Sequence, residues 1–526
     1  MVELVSSQTM QTLERTLCEK YGVDTLLLME NAGRGVAEEI TKILNKHSFS
    51  RIYILCGMGN NGGDGLAIAR HLHLRFPTLS LLVYLLGRGE ELKNDARFNY
   101  QVVKNLSIPV VEVSSSQEVE LEGGALVVDA LLGTGITREV EGVYREVIQK
   151  INASGNFVVA VDVPSGVEAS DGRIMGEAVK ADLTVTLGLA KRGLCSFPGR
   201  KYVGKLKLVD IGIPLPLQEA GLKADGFLIT PSLVREILPE RDWDTHKISA
   251  GVLGVIAGSS SLLGAGLLVC LGGYRSGAGM VVWPLPSSLS SWVKLFLPEV
   301  VSVNLSASEE WHYSLSHWKV IEEAFQDRKC RALAVGPGMG REPSTRLFLE
   351  KMIENSPQGV IDADALNIIS QNRDYWGARL ANWVITPHSG EMARILGTSV
   401  QEVNDNRIAA SLRASSLLGC VTVLKGAGTV VASPQGEVYL NPTGSAVLAS
   451  AGSGDVLTGI IGGFMAQGLS PLNSAISGVF LHGLAGELLE RGGRKQILSR
   501  EVAEKLNEAR RMVENGEYTL SFLDGD

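Results

Sequence analysis

AGSGDVLTG, residues 451–459, joins a turn of bare backbone amides to a single carboxylate. Gly452 and Gly454 have no Cβ atoms, so the backbone can approach a ligand closely at this turn. Apolar residues follow at helical spacing, which predicts a helix that begins here. The free N–H groups and the positive end of the helix dipole favour a nucleotide phosphate, with Asp455 placed to take a proton from a hydroxyl. The alternative is a plain glycine turn with Asp455 as an ordinary N-cap.

Short apolar runs precede this turn throughout the C-terminal half, and each is followed by polar residues and glycine. Strands are predicted at 251–258, 332–335, 359–362, 383–386 and 421–424, with a helix at 265–277, which indicates a mainly parallel sheet. Polar groups gather at the strand ends in GPGMG (336–340), DADALN (362–367), TPHSGEMARIL (386–396) and KGAGTVV (425–431).

Two side chains at these strand ends could hold a ligand. His388 lies where a helix is expected to start, which favours a neutral imidazole that donates to a ligand. Lys425 precedes Gly426 and Gly428, where the ammonium and the backbone could hold nucleotide phosphates. The alternatives are an ordinary capping or surface histidine and a solvated lysine beside a turn.

The N-terminal half shows the same alternation of strand, glycine and helix. RIYILC at 51–56 predicts a buried strand, GMGNNGGDG at 57–65 a polar glycine loop, and 66–76 a helix. The loop would lie at the carboxyl end of the strand, where open α/β sheets bind ligands, although it does not match the G-x-G-x-x-G dinucleotide pattern. Its Asn and Asp residues could bind a ligand, or could simply be turn formers.

Further strands are predicted at 80–86, 109–113, 125–130, 157–161 and 181–187, the rhythm of a doubly wound sheet. Asp129 ends one of them, and Asp162 and Ser165 follow the next. Repeated Asn or Asp beside glycine at strand ends indicates one shared crevice. Its oxygens suit a hard cation, either monovalent or magnesium, whereas each Asp taken singly could be a loop cap.

Length and composition limit the classes of function. The 526 residues predict two domains, and PLPLQEAGLKA at 214–224 is the expected linker because its helix and strand periodicity is lost. A net charge of −8 with 20% charged residues gives no broad basic surface, so small molecules rather than nucleic acid or membrane are the expected partners.

Cysteine usage indicates the compartment. The six cysteines include no Cys-x-x-Cys pair, so free thiols in a reducing, cytoplasmic setting are expected rather than disulfides or zinc. We also expect no signal peptide and no membrane span. Glycine-rich apolar surfaces favour a homo-oligomer.

Four N-terminal motifs carry a family resemblance: GNNGGDGLAIARHL, VVDALLGTGITREV, VVAVDVPSGVEASDG and LGLAKRGLCSFPGR. They resemble the epimerase half of the bifunctional NAD(P)H-hydrate repair enzymes, and the second half resembles the dehydratase partner, over roughly 5–212 and 225–515. The resemblance implies a Rossmann-like three-layer epimerase domain at 1–213 and a ribokinase-like dehydratase domain at 225–526. The first would interconvert the R and S hydrates of NADH and NADPH. The second would dehydrate the S form while converting ADP to AMP and phosphate.

The resemblance also implies the N-terminal site. Asn61, Asp129 and Ser165 would hold a potassium ion, and Asp162 is the candidate general acid and base. The residues expected to contact the hydrate are Asn60, Asn61, Gly62, Gly63, Asp64, Gly133, Thr134, Gly135, Ile136, Thr137, Arg138, Glu139 and Asp162.

In the C-terminal half, Ala265, Gly338 and His388 would contact the hydrate, and Asp455 would deprotonate its C6 hydroxyl for attack on the terminal phosphate. A magnesium ion carried by the nucleotide is expected. The nucleotide-binding residues implied are Lys425, Gly426, Ala427, Gly428, Thr429, Gly452, Ser453 and Gly454.

The chain departs from the family pattern at two places. SAVLA stands at 445–449 where Asn-Pro-Gly-Met-Ala is usual, and HKISAG at 246–251 lacks the glycine that normally follows the lysine. The competing function is a ribokinase-like small-molecule kinase with an N-terminal nucleotide-binding module.

Overall fold

The structure is a computed structural model that describes residues 1–213, 216–306, 311–356, 358–520 and 522–523. The chain forms two compact units, one of residues 3–227 and 520–526 and one of residues 1–2 and 228–519. Two residues of the expected 214–224 linker, Pro214 and Leu215, lie outside the described residues. Leu217, further along that segment, is buried in the core of the first unit.

A seven-stranded parallel sheet organises the N-terminal unit, in the order β4-β3-β2-β5-β6-β7-β9. The chain leaves β2 for β3 on one side and later returns to β5 on the other, so the sheet is doubly wound with its switch point between β2 and β5. β1 and β8 lie outside this sheet, and the strands in chain order are β1 Val2–Val5, β2 Ile52–Cys56, β3 Leu81–Leu85, β4 Val110–Glu112, β5 Leu126–Ala130, β6 Phe157–Val161, β7 Leu183–Leu187, β8 Ala190–Lys191 and β9 Lys205–Val209.

Side chains alternate between the two faces along each strand, and a hydrophobic core covers each face of this sheet. In β2, Ile52, Ile54 and Cys56 enter the core on one face, while Tyr53 and Leu55 enter the core on the other. The helices of the unit are α1 Ser7–Tyr21, α2 Thr25–Leu44, α3 Asn60–Arg75, α4 Asn94–Asn105, α5 Gly142–Ala153 and α6 Arg192–Cys195, with 3₁₀ turns at Gly89–Glu91, Ser116–Glu118 and Gly199–Tyr202.

The prediction of a loop over 57–65 is wrong, because α3 already begins at Asn60 and only 57–59 is irregular. The glycines of its first turn are needed for close packing. A Cβ at Gly62 would lie 1.9 Å from the carbonyl oxygen of Gly57, and a Cβ at Gly63 would lie 2.7 Å from Met29 Cε. The helix therefore starts tight against the strand that precedes it.

A second parallel sheet forms the frame of the C-terminal unit, in the order β13-β12-β11-β14-β15-β16-β17, and the antiparallel strands β18 and β19 extend it. Its switch point lies between β11 and β14. The strands are β10 Gly226–Leu228, β11 Val252–Ile256, β12 Met280–Pro286, β13 Val301–Leu305, β14 Ala332–Val335, β15 Gly359–Ile361, β16 Trp383–Ile385, β17 Val421–Leu424, β18 Val430–Ala432 and β19 Val438–Leu440.

Helices α8 and α17 of this unit pack with their backbones in contact. A Cβ at Gly272 would lie 2.3 Å from the carbonyl oxygen of Val456, and one at Gly459 would lie 2.1 Å from that of Val269. The helices are α7 Pro231–Ile237, α8 Leu263–Ser276, α9 Ser287–Phe296, α10 Leu315–Asp327, α11 Pro343–Glu354, α12 Ala363–Ser370, α13 Arg373–Trp376, α14 Ser389–Leu396, α15 Val400–Asp405, α16 Arg407–Leu418, α17 Ser453–Ala466, α18 Pro471–Arg491 and α19 Ser499–Glu514, with 3₁₀ turns at Gly377–Leu380 and Ala446–Leu448.

Within the described ranges, no helix has both the length and the hydropathy required to cross a bilayer.

Candidate active sites

A cavity of about 950 Å³ opens at the carboxyl ends of β2, β5 and β6 in the N-terminal unit. Its lining includes Asn60, Asn61 and Asp64 from the N-terminal end of α3, the whole 133–139 loop, and Asp162. The three strand ends that were expected to share a crevice are neighbours in the sheet. Most of the predicted epimerase residues are thus brought together at the switch point.

Four of the predicted residues do not line this cavity. Gly62 and Gly63 pack against the protein as described above, and Asp129 and Ser165 are fully buried. Any effect of Asp129 and Ser165 on a ligand in the cavity would therefore be indirect.

Asp162 is held in an unusual conformation by its own side chain. Its φ of +64° lies in the left-handed region, which non-glycine residues seldom occupy. Its Oδ1 accepts from Lys191 Nζ at 2.5 Å, from the amide of Leu187 at 3.0 Å and from Thr186 Oγ1 at 3.2 Å. Lys191 is 1% exposed and also donates to the carbonyl of Leu187 at 2.6 Å. The pair is a buried, positioned ion pair.

Lys191 and Glu14 line the cavity but were not predicted as site residues. Burial raises the pKa of Glu14, with Lys191 opposing and Asp162 reinforcing that shift. Burial also raises the pKa of Asp64 well above its ordinary value, and the negative charges of Asp162 and Glu14 add to the effect against Lys191. Three carboxyl groups therefore share the field of one ammonium.

Asp129 and Ser165 form an interlocked pair beneath the cavity. Asp129 accepts from the Ser165 hydroxyl at 2.6 Å and from the Ser165 amide at 2.8 Å, while Ser165 Oγ accepts from the amide of Leu132 at 2.8 Å. Burial raises the pKa of Asp129 to about 6 despite these hydrogen bonds. Asn61 lies beside the cavity loop, since a Cβ at Gly133 would be 3.2 Å from Asn61 Cβ, and its buried Nδ2 has no hydrogen-bond partner among the described residues. A buried carboxylate and an unsatisfied amide are two features that a bound ligand could complete.

In the C-terminal unit, Asp362 joins the start of α12, the residue after β17 and the N-terminal part of α17. Its Oδ1 accepts from Lys425 Nζ at 2.6 Å and from the amide of Ala363 at 2.9 Å, and its Oδ2 accepts from Thr458 Oγ1 at 2.7 Å. Asp362 is 1% exposed, so Lys425 is its charge partner rather than a solvated lysine beside a turn. Asp362 and Thr458 were not predicted as site residues, although DADALN was noted at a strand end.

Asp455 lies in the first turn of α17, and the N-cap of that helix is Gly452 with a φ of +87°. The alternative of Asp455 as an N-cap is therefore wrong, and its carboxylate does not cap the start of the helix. Burial, reinforced by the negative charge of Asp362 and opposed by Lys425, raises the pKa of Asp455 to about 7. A carboxyl group with that pKa can exchange a proton near neutral pH.

His388 caps α14, as its position before a helix predicted. Its Nδ1 accepts from the amide of Gly390 at 2.9 Å, which leaves Nε2 as the protonated nitrogen of the neutral ring. The ring is more than half exposed and its Nε2 lies 3.5 Å from Glu391 Oε1. Capping and ligand donation are therefore compatible, because they use different ring nitrogens.

Ala265 and Gly338 are neighbours at the switch point of this sheet. A Cβ at Gly338 would lie 3.2 Å from Ala265 Cβ and 2.8 Å from Leu262 Cβ, and Gly338 has a φ of +64°. The structure brings these two predicted residues together, with room only for glycine at the second.

The predicted nucleotide residues lie on two segments with separate supports. Arg407 is buried and donates Nη2 to the carbonyls of Leu424 and Lys425 at 3.0 and 3.1 Å, which fixes the chain entering Gly426. A Cβ at Gly454 would lie 3.3 Å from Lys425 Nζ, so the lysine is close to the glycine turn of α17.

His482 supports the turn itself. Its Nε2 lies 3.1 Å from both the hydroxyl and the carbonyl oxygen of Ser453, and burial lowers the pKa of His482 to about 4. A neutral ring therefore anchors the turn without adding charge to it. The divergent segment at 445–449 forms a short 3₁₀ turn, Ala446–Leu448, and its Ser445 hydroxyl donates to Glu490 at 2.8 Å.

Sequence comparisons agree with this division of the chain. The family described as YjeF-related protein N-terminus matches residues 25–193, and the family described as NAD(P)H-hydrate dehydratase matches residues 253–508. A solved ADP/ATP-dependent NAD(P)H-hydrate dehydratase from Bacillus subtilis, co-crystallised with ATP and Mg²⁺, is 30% identical. The match covers 55% of this chain and 99% of that one, with a TM-score of 0.48.

Two curated relatives match both halves together. The bifunctional NAD(P)H-hydrate repair enzyme of Moorella thermoacetica is 35% identical over 98% of this chain and 98% of its own. That of Thermofilum pendens is 38% identical over 91% of each. With such identity over nearly its full length, and with both family matches in order, the chain belongs to the bifunctional NAD(P)H-hydrate repair enzymes.

Proposed function

We propose that the N-terminal unit interconverts the R and S hydrates of NADH and NADPH, and that the C-terminal unit dehydrates the S hydrate at the expense of ADP. The observation that carries the proposal is the meeting of Asp455, Lys425 and Asp362 at a helix start. A proton acceptor with a pKa of about 7 stands there beside a paired ammonium and bare glycine amides. This set suits a hydroxyl that attacks a phosphate.

The dehydration uses Asp455 as the base. It takes the proton of the C6 hydroxyl, whose oxygen attacks the terminal phosphate of ADP, releasing AMP. The phosphorylated oxygen then leaves C6 as phosphate far more readily than hydroxide would. The ring nitrogen supplies the electrons, and loss of a ring proton restores NADH or NADPH.

The remaining residues hold the two substrates. Lys425 and the amides of 452–454 bind phosphate oxygens, and Asp362 keeps Lys425 oriented. His388 donates from Nε2 to the hydrate, which lies against Ala265 and Gly338. A magnesium ion on the nucleotide would neutralise phosphate charge.

In the N-terminal unit, the hydrate would occupy the cavity of about 950 Å³ with its hydroxylated ring toward Asp64 and Asp162. Loss of the C6 hydroxyl as water gives a cationic ring, and water returns to the other face. The carboxylates around Lys191 would stabilise the positive charge that develops in the ring.

A potassium ion fits beneath this cavity. Asp129 is fully buried, and its hydrogen bonds come from neutral donors, so a monovalent cation would offset the charge that burial disfavours. Among the residues that the structure describes, Asn61 Nδ2 has no partner, and an amide turned so that its oxygen faces the ion would remove this unsatisfied donor. Within the described ranges no group of three or more His, Cys, Asp or Glu side chains could hold a metal, so a divalent carboxylate site is not favoured.

The test is an assay of the full chain with separated R and S hydrates of NADH, each with and without ADP. We expect the S hydrate plus ADP to regain the absorbance of NADH with one AMP and one phosphate per turnover. The R hydrate should follow at a rate above its spontaneous epimerisation. A stable phosphorylated hydrate without recovery of NADH would instead identify a kinase.

A further inference from the structure

We propose that Asp64, rather than Asp162, is the general acid and base of the N-terminal active site, and that the Asp162–Lys191 ion pair is its positioning partner. The inference rests on the proposed epimerase function and assigns the proton that this function requires. It concerns which of several carboxyl groups in one cavity can carry that proton.

The Oδ1 atom of Asp162 is occupied by the protein itself. Three donors converge on its Oδ1, namely Lys191 Nζ, the Leu187 amide and the Thr186 hydroxyl. Its backbone is locked at a φ of +64°, so the carboxylate cannot swing toward a substrate without losing these contacts. Asp162 acts as a fixed acceptor that binds and orients.

Asp64 lines the same cavity and has no such commitment. Among the described residues, none makes a hydrogen bond with its carboxyl group. It lies near the N-terminal end of α3, which packs tightly against Gly57 at Gly62 and against Cys56 of β2 at Gly65, so its position is rigid without being paired. It is a carboxyl group that is both available to a ligand and placed by a packed element.

The charges that face Asp64 favour its acid form. They are Glu14 from α1, Asp95 from α4, Asp162 after β6 and Lys191 from β8, with the Cys56 thiol of β2 beneath. Burial and three carboxylates outweigh the single ammonium, which already serves Asp162. Burial and these charges therefore raise the pKa of Asp64 well above its ordinary value, which favours its acid form.

The step balances with one carboxyl group. Protonated Asp64 gives its proton to the C6 hydroxyl oxygen, the C6–O bond breaks with its electron pair on the departing water, and the ring-nitrogen lone pair forms the C6=N⁺ bond. The planar cation then turns its other face toward Asp64, water adds to that face of C6, the C=N⁺ π pair returns to nitrogen, and the Asp64 carboxylate takes the proton of the incoming water. No oxidant or second substrate is needed.

The test follows R-to-S interconversion by chromatography without ADP, so that the dehydratase is silent. Wild type should show a rate that falls as pH rises through the pKa of Asp64, because only the acid form can donate. Asp64→Asn should lower the maximal rate by about 10²–10⁴-fold with little change in KM, and should remove the alkaline fall. Asp95→Asn, which removes another carboxylate of the cavity wall, should keep that fall.

Several results would overturn the assignment. An Asp64→Asn variant with wild-type turnover, or with only a raised KM, would make Asp64 a binding contact. A wild-type rate that does not fall at alkaline pH would do the same without any variant. If wild type itself does not interconvert the hydrates, the proposed epimerase function fails instead, which separates the two failures. The thermal unfolding of Asp64→Asn shows whether the variant is folded.

Discussion

We expect Asp455, the proposed base, to set the pH dependence of the dehydration. Its pKa of about 7 means that about one half of the molecules have the ionised base at pH 7, and only about one tenth at pH 6. For S-hydrate turnover at saturating ADP, kcat/KM should therefore rise about tenfold per pH unit below about pH 6.5 and level off above about pH 8. An aspartate with its ordinary pKa would instead give a flat profile over this range.

The neighbours of Asp455 should move this profile in opposite directions. Asp362→Asn removes a negative charge that raises the pKa of Asp455, so the acid limb should shift to lower pH. Lys425→Met removes the positive charge that lowers it, so the limb should shift to higher pH, with a weaker affinity for ADP as well. Two shifts of opposite sign cannot arise from a general loss of folding.

Asp455→Asn removes the base while keeping its shape. Turnover should fall by about 10²–10⁴-fold, and the pH-dependent limb should disappear. ADP binding, measured by calorimetry, should change much less because backbone amides and Lys425 hold the phosphates. Retained turnover would remove Asp455 from the mechanism, and lost ADP binding would place it in the nucleotide site. If the acid limb instead shifts in the same direction in Asp362→Asn and in Lys425→Met, the electrostatic explanation of the Asp455 pKa is refuted.

Three further outcomes are expected. Asp162→Ala should slow use of the R hydrate to its spontaneous epimerisation rate and leave S-hydrate turnover largely intact, and equal slowing of both forms would contradict the division of labour. R-hydrate conversion should fall in sodium buffer and recover with potassium at equal ionic strength, whereas Asp129→Asn should lose that response; a wild type indifferent to potassium would remove the ion site. Gly62→Ala should destabilise the N-terminal unit by about 1–3 kcal/mol, because its Cβ would clash with the Gly57 carbonyl at 1.9 Å. Calorimetry should show that unit unfolding at lower temperature while S-hydrate turnover persists, and an unchanged thermogram would argue against the close packing.

The buried strands were predictable almost to the residue. Phe157–Val161, Ala332–Val335 and Val421–Leu424 coincide with the predicted runs, because a parallel strand covered on both faces is apolar throughout and ends at polar residues. By contrast, Met280–Pro286 and Val301–Leu305 were missed. They contain prolines or alternate in burial at the edge of the sheet, so neither gives an uninterrupted apolar run.

The candidate sites were predictable as strand ends but not as pairs. Lys191 and Asp162 are 29 residues apart, and Lys425 and Asp362 are 63 apart, and local pattern contains no information on such partners. The start of α3 was missed for a different reason, since glycines chosen for packing look like a loop when only the sequence is read. The one signal that could have drawn attention to Lys191 is a lysine four residues after the apolar run that forms β7.

The backbone contact between α8 and α17 restricts how such an enzyme can diversify. Ala265 lies on the first of these helices and Asp455 on the second, and the glycines at 272 and 459 leave no gap between them. Any larger residue at either position would push the helices apart and move Asp455, the proposed base, away from Ala265, a proposed contact of the hydrate. Each glycine faces a backbone carbonyl oxygen of the other helix, so no side-chain substitution on that helix can make room for a larger residue. New substrates are therefore more accessible to mutation through the loops that follow β14 and β16, which carry Gly338 and His388, than through this helix pair.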